Sequence, residues 1–371
     1  MIRFTDITFY ANSEYADTDE LLKAQRTSLY YINAIGGRMD VEVVKHVSNH
    51  NTRINEKKGF FFFRARNKRG YIAPETRLYL KGRSPDIVLV RGLSFPLHII
   101  RLKLLLGTRV KILVMHHADK PPANRFRQIA YRLADLCING YLFTSRGNAA
   151  PWIEAGVIRD QKKLYELPGT LTNFTGINKQ QSRNLLQIHG DPVFLWVGRL
   201  DANKDPVTAI NGFERLLGSY PSARLYMIYQ ADLILGDVQQ KLMQNSRLQE
   251  SVVLVGKVAY DQLLQWYSAS DFFVSTSYSE GGSAALLEAM ACGCIPIVTN
   301  IPSAMKVIRD GRYGFHFKAG NTESLYAAMQ HAITADKHLL SENIVSWFQQ
   351  EYSVSAVADK LYGVCRELLV E

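Results

Sequence analysis

Two glutamates, Glu280 and Glu288, bracket the sequence Gly281-Gly282-Ser283 and are the first residues in the chain that suggest chemistry. Ser283 is a typical N-cap, and the apolar spacing after it predicts a helix that ends before Gly293. Backbone N–H groups at a helix start favour a phosphate. A carboxylate about one turn further on can accept hydrogen bonds from two sugar hydroxyls. The segment therefore indicates a sugar-nucleotide site, and a capped helix with two solvated acids is the alternative.

Two cations, Arg199 and Lys204, form the second candidate group. They follow the apolar run 193–198, which predicts a buried strand, and they precede Asp205-Pro206, which fits the N-cap and first residue of a helix. Open α/β sheets bind ligands at the carboxyl ends of strands. Both cations suit charge-assisted hydrogen bonds to a diphosphate. A surface ion pair of Arg199 with Asp201 or Asp205 is the alternative.

Alternating strands and helices must position these residues. Apolar runs predict buried strands, one of them at 271–276, directly before the glutamate segment. In the N-terminal half the predicted strands are 2–8, 41–44, 86–92 and 111–115, and the predicted helices are 21–35, 95–106 and 126–134. This alternation predicts an α/β fold. Because no Gly-rich phosphate-binding loop follows the first strand, the N-terminal half is less suited to a nucleotide than to a second substrate, an acceptor.

Two histidines, His116 and His117, follow the predicted strand 111–115 at another carboxyl edge. A single histidine there would most often be structural, whereas a pair beside a cleft suits ligand contact. We expect His117 to be the functional residue, with His116 as its substitute.

These segments resemble the retaining glycosyltransferases of family four, the glycosyl transferases group 1. The resemblance is strongest over 193–320, through Val197-Gly198-Arg199-Leu200, Asn203-Lys204-Asp205-Pro206, 280–293, 295–299 and Gly311-Arg312-Tyr313-Gly314. It implies an α/β fold of GT-B architecture, two Rossmann-like domains facing each other across a cleft. It also implies a hexosyltransferase that moves a sugar from a nucleoside diphosphate sugar to a glycan or lipid-linked acceptor, with retention, as in cell-envelope polysaccharide synthesis.

The resemblance also implies a role for each matching residue. Glu288 would hold the donor ribose, Glu280 would contact the transferred sugar, and Arg199 and Lys204 would neutralise the diphosphate. His117 would contact the sugar from across the cleft, which completes the catalytic set of Glu280, His117, Arg199 and Lys204. The remaining donor contacts would be Gly198, Val258, Gly281, Gly282, Ser283 and Ala284. Gly282 and Ser283 stand where the family often has Phe followed by Gly or Pro.

No cofactor or metal is implied, because Arg199, Lys204 and the helix start at Gly282 and Ser283 would stabilise the charge of the leaving diphosphate. The leaving phosphate would accept the proton of the acceptor. Two other functions remain open at this stage. One is a GT-B enzyme of another reaction, such as a nucleotide-sugar epimerase, and the other is a non-catalytic carbohydrate-binding protein.

The length of 371 residues exceeds a usual single core, and 47% apolar with 21% charged residues indicates a folded globular protein. We predict an N-terminal acceptor-binding domain at 1–180, a donor-binding domain at 181–350 and a C-terminal helix at 351–371 that crosses back to the first domain. Residues 168–172, followed by the polar stretch 180–184, fit an interdomain linker.

The sequence has no pattern typical of a membrane span, a signal peptide or a metal cluster. No stretch approaches the ~20 apolar residues of a span, and residues 1–11 lack a signal-peptide pattern, so we expect a cytoplasmic protein. Asp17-Thr18-Asp19 precedes a helix-like run and fits capping better than a metal site. For Cys292-Gly293-Cys294, packing is a better interpretation than a redox or metal pair. The four cysteines are Cys137, Cys292, Cys294 and Cys365.

The net charge of +10 is unevenly distributed. Residues 1–185 carry 30 Lys and Arg against 15 Asp and Glu, whereas residues 186–371 carry 14 against 19. The densest basic cluster, Lys57 to Arg69, surrounds Phe60 to Phe63. It predicts either peripheral contact with an anionic membrane at its inner face, or a buried phenylalanine strand followed by a solvated basic loop. No nucleic-acid-binding motif accompanies the charge, so we expect no nucleic-acid partner.

Overall fold

The chain folds into two compact units. The computed structural model describes residues 1–12, 20–22, 30–47, 55–57, 59–64, 74–116 and 120–370. Unit 1 contains residues 1–171 and 354–371, and unit 2 contains residues 172–353. The sequence places the corresponding boundaries at 180 and 350. Among the described residues, no helix is long and apolar enough to cross a membrane.

Unit 1 is built on an eight-stranded sheet with the order β3-β4-β2-β1-β5-β6-β7-β8. Its pairs are parallel except for β3 with β4. Val88 and Val90 belong to one core and Ile87 and Leu89 to another, so both faces of the sheet are covered. The strands are β1 Ile2–Asn12, β2 Met39–Val47, β3 Asn55–Lys57, β4 Phe60–Arg64, β5 Ile87–Arg91, β6 Lys111–His116, β7 Gly140–Phe143 and β8 Leu164–Glu166.

The helices of unit 1 connect these strands and cover the sheet. They are α1 Tyr31–Ile35, α2 Pro74–Arg83, α3 Pro96–Leu106, α4 Arg125–Asp135 and α5 Arg146–Glu154, with a short 3₁₀ turn at Gln161–Lys163. The predicted helices 95–106 and 126–134 are therefore confirmed to within a residue or two.

Unit 2 has a six-stranded, wholly parallel sheet with the order β11-β10-β9-β12-β13-β14. Counted within the unit this is 3-2-1-4-5-6, the doubly wound order of a Rossmann fold. The strands are β9 Val193–Gly198, β10 Arg224–Tyr229, β11 Val252–Gly256, β12 Phe272–Ser275, β13 Ile295–Thr299 and β14 Phe315–Phe317. Their apolar residues share one core with the helices on both sides. The chain order reverses between β9 and β12.

Nine helices lie in the part of unit 2 that the structure describes. They are α6 Lys179–Leu186, α7 Pro206–Leu216, α8 Leu235–Met243, α9 Ser246–Ser251, α10 Leu263–Ala269, α11 Ala284–Ala291, α12 Pro302–Val307, α13 Thr322–Thr334 and, completing the unit after them, α14 Lys337–Glu351, with a 3₁₀ turn at Tyr260–Gln262.

The last helix, α15 Val354–Val370, returns to unit 1. It packs against α1 and buries one side in a core of unit 1, with Val357, Leu361, Cys365 and Leu368 at helical spacing.

The stretch 180–184 is not a linker, so that prediction is wrong. It lies within α6, where the Asn178 side chain caps the helix by accepting from Gln181 N at 2.9 Å. Lys179 and Arg183, one turn apart, both pair with Asp271 at the start of β12, at 2.9 and 2.8 Å. These tertiary contacts stabilise a helix whose polar sequence alone suggests a loop.

The four-phenylalanine segment is a strand of the unit 1 sheet rather than a membrane contact. β4 pairs with β2 on one side and β3 on the other, and Phe61, Phe62 and Phe63 are buried. The aromatic part of the predicted membrane contact is therefore wrong, because these rings lie in the core. The basic residues from 65 to 69 lie outside the described residues.

Candidate functional site at the sheet edge of unit 2

The candidate residues of unit 2 gather where β9 and β12 end. The two strands pair in parallel, with Val274 opposite Trp196, at the position where doubly wound sheets bind ligands. The loop after each strand therefore reaches the same edge. Tyr278 N donates to Asn203 O at 2.8 Å, and Asn203 Nδ2 donates to Ser279 O at 3.0 Å. These two hydrogen bonds hold the loops together.

Lys204 and Glu280, one from each loop, form an ion pair. Only 19% of the Lys204 side chain and 14% of the Glu280 side chain are exposed. Ser277 Oγ donates to Glu280 Oε1 at 2.8 Å, and Thr276 Oγ1 donates to Lys204 O at 2.7 Å. The two residues that the sequence assigns to a diphosphate and to a sugar thus lie side by side and neutralise each other.

Arg199 lies directly after β9 and is 62% exposed. Its Nη2 is 2.9 Å from Asp201 Oδ2, while Asp201 Oδ1 accepts from Lys204 N at 2.9 Å. The surface ion pair considered from the sequence is therefore present. Exposed pairs of this kind contribute at most ~1 kcal/mol, so the guanidinium can exchange Asp201 for a phosphate at little cost.

The start of α11 lies at the same edge. Ser283 is its N-cap, as predicted, and its side chain accepts from Leu286 N at 3.3 Å. Gly281, Gly282, Ser283 and Ala284 are all partly exposed. The first turn of the helix therefore presents the positive end of its dipole to solvent, where an anion is stabilised.

Glu288 points into the core from α11 and is 3% exposed. The fully buried Tyr267 donates its hydroxyl hydrogen to Glu288 Oε2 at 3.0 Å. Burial, reinforced by the negative charge of Glu288, raises the pKa of Tyr267 well above its ordinary value. Because neither Glu288 nor Glu280 is solvated, the alternative of two solvated acids is wrong.

The start of α7 is also as predicted. Asp205 caps it by accepting from Thr208 N at 3.1 Å, and Pro206 is its first residue. Gly198 precedes this loop, and a Cβ there would lie 3.0 Å from the Trp196 ring. Trp196 Nε1 in turn donates to Thr276 Oγ1 at 3.1 Å. Glycine at 198 therefore leaves room for the ring that supports the loop after β12.

Sequence reasoning missed the hydroxyl groups that organise this edge. They come from Thr276, Ser277 and Tyr267, together with Thr299, whose Oγ1 donates to Ser277 O at 2.7 Å. The run Ser275-Thr276-Ser277 directly after a buried strand was the available signal. Hydroxyls at such a position can hold a loop in place by donating to its carbonyl groups.

Two other predicted features of unit 2 lie apart from these contacts. Val258 follows β11 and packs, partly buried, against the core. Cys294 is buried, and burial raises the pKa of Cys292 to about 12, so both are packed thiols rather than reactive ones. Among the described residues, no group of His, Cys, Asp and Glu is arranged to hold a metal ion.

The histidines and the Asp-x-Asp segment belong to unit 1. His117, Asp17 and Asp19 lie outside the described residues, so the predictions for them stay predictions. His116 ends β6, is 1% exposed, and stands edge-on to Trp152 at 4.8 Å and to Phe143 at 5.4 Å between ring centroids. This enclosure makes His116 a packing residue and not a substitute for His117.

Comparison with known proteins finds a family model that matches most of unit 2. Residues 178–344 match the model of the family "Glycosyl transferases group 1". One curated relative is the Campylobacter jejuni N-acetylgalactosamine-N,N'-diacetylbacillosaminyl-diphospho-undecaprenol 4-alpha-N-acetylgalactosaminyltransferase, 29% identical over 40% of this chain and 39% of the relative. Another is the alpha-monoglucosyldiacylglycerol synthase of Streptococcus pneumoniae, 27% identical over 45% and 38%. The chain thus spans about two fifths of the length of these relatives.

A solved structure matches over the whole length. Sucrose-phosphate synthase from Thermosynechococcus elongatus covers 100% of both chains, with a TM-score of 0.73 at 18% identity, a level that shows the fold alone. Two Rossmann-like units and the whole-length match in structure lead to one conclusion: the chain has the GT-B fold, and residues 178–344 of its second unit are similar to the glycosyl transferases group 1.

Proposed function

We propose that the protein is a retaining hexosyltransferase that uses a nucleoside diphosphate sugar and needs no metal ion. The observation that carries the proposal is the position of Lys204, Glu280 and Arg199 beside the start of α11, at the point where the chain order of the sheet reverses. The match of residues 178–344 to the glycosyl transferases group 1 supports it.

The donor is held by five groups. The first turn of α11 and Lys204 receive the diphosphate, and Arg199 exchanges Asp201 for a phosphate oxygen. Glu280, released from Lys204, accepts hydrogen bonds from hydroxyls of the transferred sugar. Glu288, oriented by Tyr267, faces the ribose, a contact that requires movement at the helix start because its side chain is 3% exposed.

The reaction is a displacement on one face of the sugar. The bond between the anomeric carbon and the β-phosphate oxygen breaks, a bond from the acceptor oxygen to the same carbon forms, and the acceptor proton passes to the departing phosphate. Negative charge grows on the diphosphate as it leaves. Lys204, Arg199 and the helix dipole stabilise that charge, which is the task a divalent ion performs in other transferases.

Glu280 is assigned to sugar binding rather than to nucleophilic attack. A double displacement would need an unpaired carboxylate beneath the anomeric carbon. Glu280 instead accepts a hydrogen bond from Ser277 Oγ at 2.8 Å, a contact that is kept when Lys204 turns to the diphosphate. The acceptor is a glycan or a lipid-linked acceptor, a class supported by the lipids in the names of the C. jejuni and S. pneumoniae relatives.

The test is a transfer assay with the full chain. UDP-, GDP- and ADP-hexoses are each incubated with and without glycan or lipid-linked acceptors, in the presence of a chelator, and the anomeric configuration of the product is read by NMR. The proposal predicts acceptor-dependent release of the nucleoside diphosphate and a product with the configuration of the donor. Donor isomerisation without acceptor indicates an epimerase, and binding without release indicates a non-catalytic protein.

A further inference from the structure

An apolar, basic surface on α3 and α4 of unit 1 is unused by the proposed transfer reaction. Four large apolar residues share one side of α4, because they are spaced by three or four positions. They are Phe126, Ile129, Leu133 and Leu136, and Leu136 directly follows the last residue of the helix. Their exposed fractions are 83, 50, 51 and 71%. A row of four large exposed apolar side chains on one helix calls for an occupant.

The neighbouring helix extends this surface. Leu97 and Leu104 of α3 are 54% and 80% exposed, and Arg101 between them is exposed as well. The two helices pack against each other and bury their inner residues, among them Ile99 and Ala134, in the same core. Their outer sides therefore lie on the same side of the sheet. We call this the α3–α4 surface.

The charge around the α3–α4 surface has one sign. Residues 92–134 contain eight Lys and Arg and a single acid, Asp119, so this stretch supplies about half of the basic excess of the N-terminal half. At 100° per residue, Arg125 lies on one flank of the α4 row and Arg127 on the other, and both are exposed. The one acid of α4, Asp135, is buried and accepts from Tyr141 OH at 2.9 Å. On the described residues of α3 and α4, every charged side chain that is not buried is a cation. Exposed apolar side chains beside cations match an anionic bilayer, where the rings enter below the headgroups and the arginines meet the phosphates.

We propose that the α3–α4 surface docks the protein on an anionic phospholipid bilayer. Phe126, Ile129, Leu133 and Leu136 insert, with Leu97 and Leu104 beside them, and Arg101, Arg125 and Arg127 bind lipid phosphates. This surface is separate from the segment from Lys57 to Arg69, whose aromatic part is core. Docking here does not depend on the proposed transfer reaction, since its residues lie in unit 1 and the donor residues lie in unit 2.

The experiment is co-sedimentation of the full chain with vesicles of phosphatidylcholine alone or with 30% phosphatidylglycerol. The wild type is expected to bind the anionic vesicles and to release them as salt is raised. The variant Phe126→Ser/Leu133→Ser should lose at least about tenfold in partition. The variant Arg101→Gln/Arg125→Gln/Arg127→Gln should lose about 100-fold, at about fivefold per basic residue.

The matched control replaces equally exposed apolar residues of the acidic half, Met243→Ser/Leu339→Ser, and should bind like the wild type. Circular dichroism and thermal unfolding of the full chain, measured in parallel, should be unchanged in every variant, which shows that each one folds. No binding of the wild type to anionic vesicles overturns the proposal, as does equal binding of the Phe126→Ser/Leu133→Ser variant. A wild-type dimer in light scattering that the same variant dissociates also overturns it, because the occupant is then a second copy of the chain.

Discussion

Substitutions of Lys204 and Glu280 should change nucleotide affinity in opposite directions. In the structure the two side chains neutralise each other, and both are more than four fifths buried. Lys204→Ala removes a cation from the diphosphate. Glu280→Gln removes the carboxylate that competes with the diphosphate for Lys204. A site in which both residues only stabilise the loops would respond to both changes in the same way.

The magnitudes follow from these contacts. A hydrogen bond to a charged group contributes about 1.5–3 kcal/mol, so Lys204→Ala should raise the Kd for the nucleoside diphosphate by about 10- to 150-fold. Releasing Lys204 from a partly exposed ion pair saves up to ~1 kcal/mol, so Glu280→Gln should lower the same Kd by up to about fivefold. Sugar transfer by Glu280→Gln should nevertheless fall at least about tenfold, because the hydroxyl contacts are weakened.

The assay is isothermal titration calorimetry of the full chain with whichever of UDP, GDP and ADP the wild type binds, beside a turnover measurement. Lys241→Ala and Glu214→Gln are matched controls, because Lys241 Nζ and Glu214 Oε2 form an ion pair of similar exposure at 2.8 Å elsewhere in unit 2. Neither control should change the Kd. The reasoning is refuted if Lys204→Ala keeps wild-type affinity, or if Glu280→Gln weakens binding as much as Lys204→Ala.

Three further predictions concern buried groups. Tyr267→Phe should lower the free energy of unfolding by about 1–3 kcal/mol, because Glu288 loses a hydrogen-bond donor. In urea titrations, the double variant Tyr267→Phe/Glu288→Gln should lose less stability than the sum of the two single variants, and additive losses would contradict the contact. Burial lowers the pKa of Lys45 to about 8, although Asp6 opposes the shift. Above that pH the unfolded chain binds more protons than the folded chain, so the free energy of unfolding should rise by about 2 kcal/mol from pH 7 to pH 9.5 relative to that of Lys45→Met. A difference in stability between wild type and Lys45→Met that stays constant with pH would refute this. Burial alone would raise the pKa of Asp271, but Lys179, Val193 N and Arg183 hold it below its ordinary value. The stability lost in Asp271→Asn should therefore shrink as the pH falls below 4. A loss that is the same at pH 6 and pH 3 would contradict this prediction.

Local signals made unit 2, which carries the candidate site, predictable. The N-caps at Asp205 and Ser283 and the apolar run before Gly198 each carry their structural information within a few residues, so the sequence places them closely. The loops after β9 and β12 are expected to lie together by one further rule, because the carboxyl ends of neighbouring parallel strands lie at the same edge of the sheet.

The contacts that the sequence did not predict are long-range. Lys204 and Glu280 are 76 positions apart, and Tyr267 and Glu288 are 21 apart, so no spacing rule joins them. The helix at 179–186 depends on Asp271, which lies far along the chain. The phenylalanine segment was ambiguous because a buried strand of a sheet and a membrane-binding segment can have the same composition, and its pairing with β2 and β3 decides between them.

Thermal unfolding of the full chain with UDP, GDP and ADP, in excess chelator, tests the central claim most directly. A nucleotide at 100 times its Kd adds about 2.7 kcal/mol to the stability of the state that binds it. The account predicts that at least one nucleotide raises the Tm by several degrees without metal, and that Lys204→Ala reduces the added stability at the same concentration to about half or less. The absence of a shift with all three, or a shift that Lys204→Ala leaves intact, would contradict it.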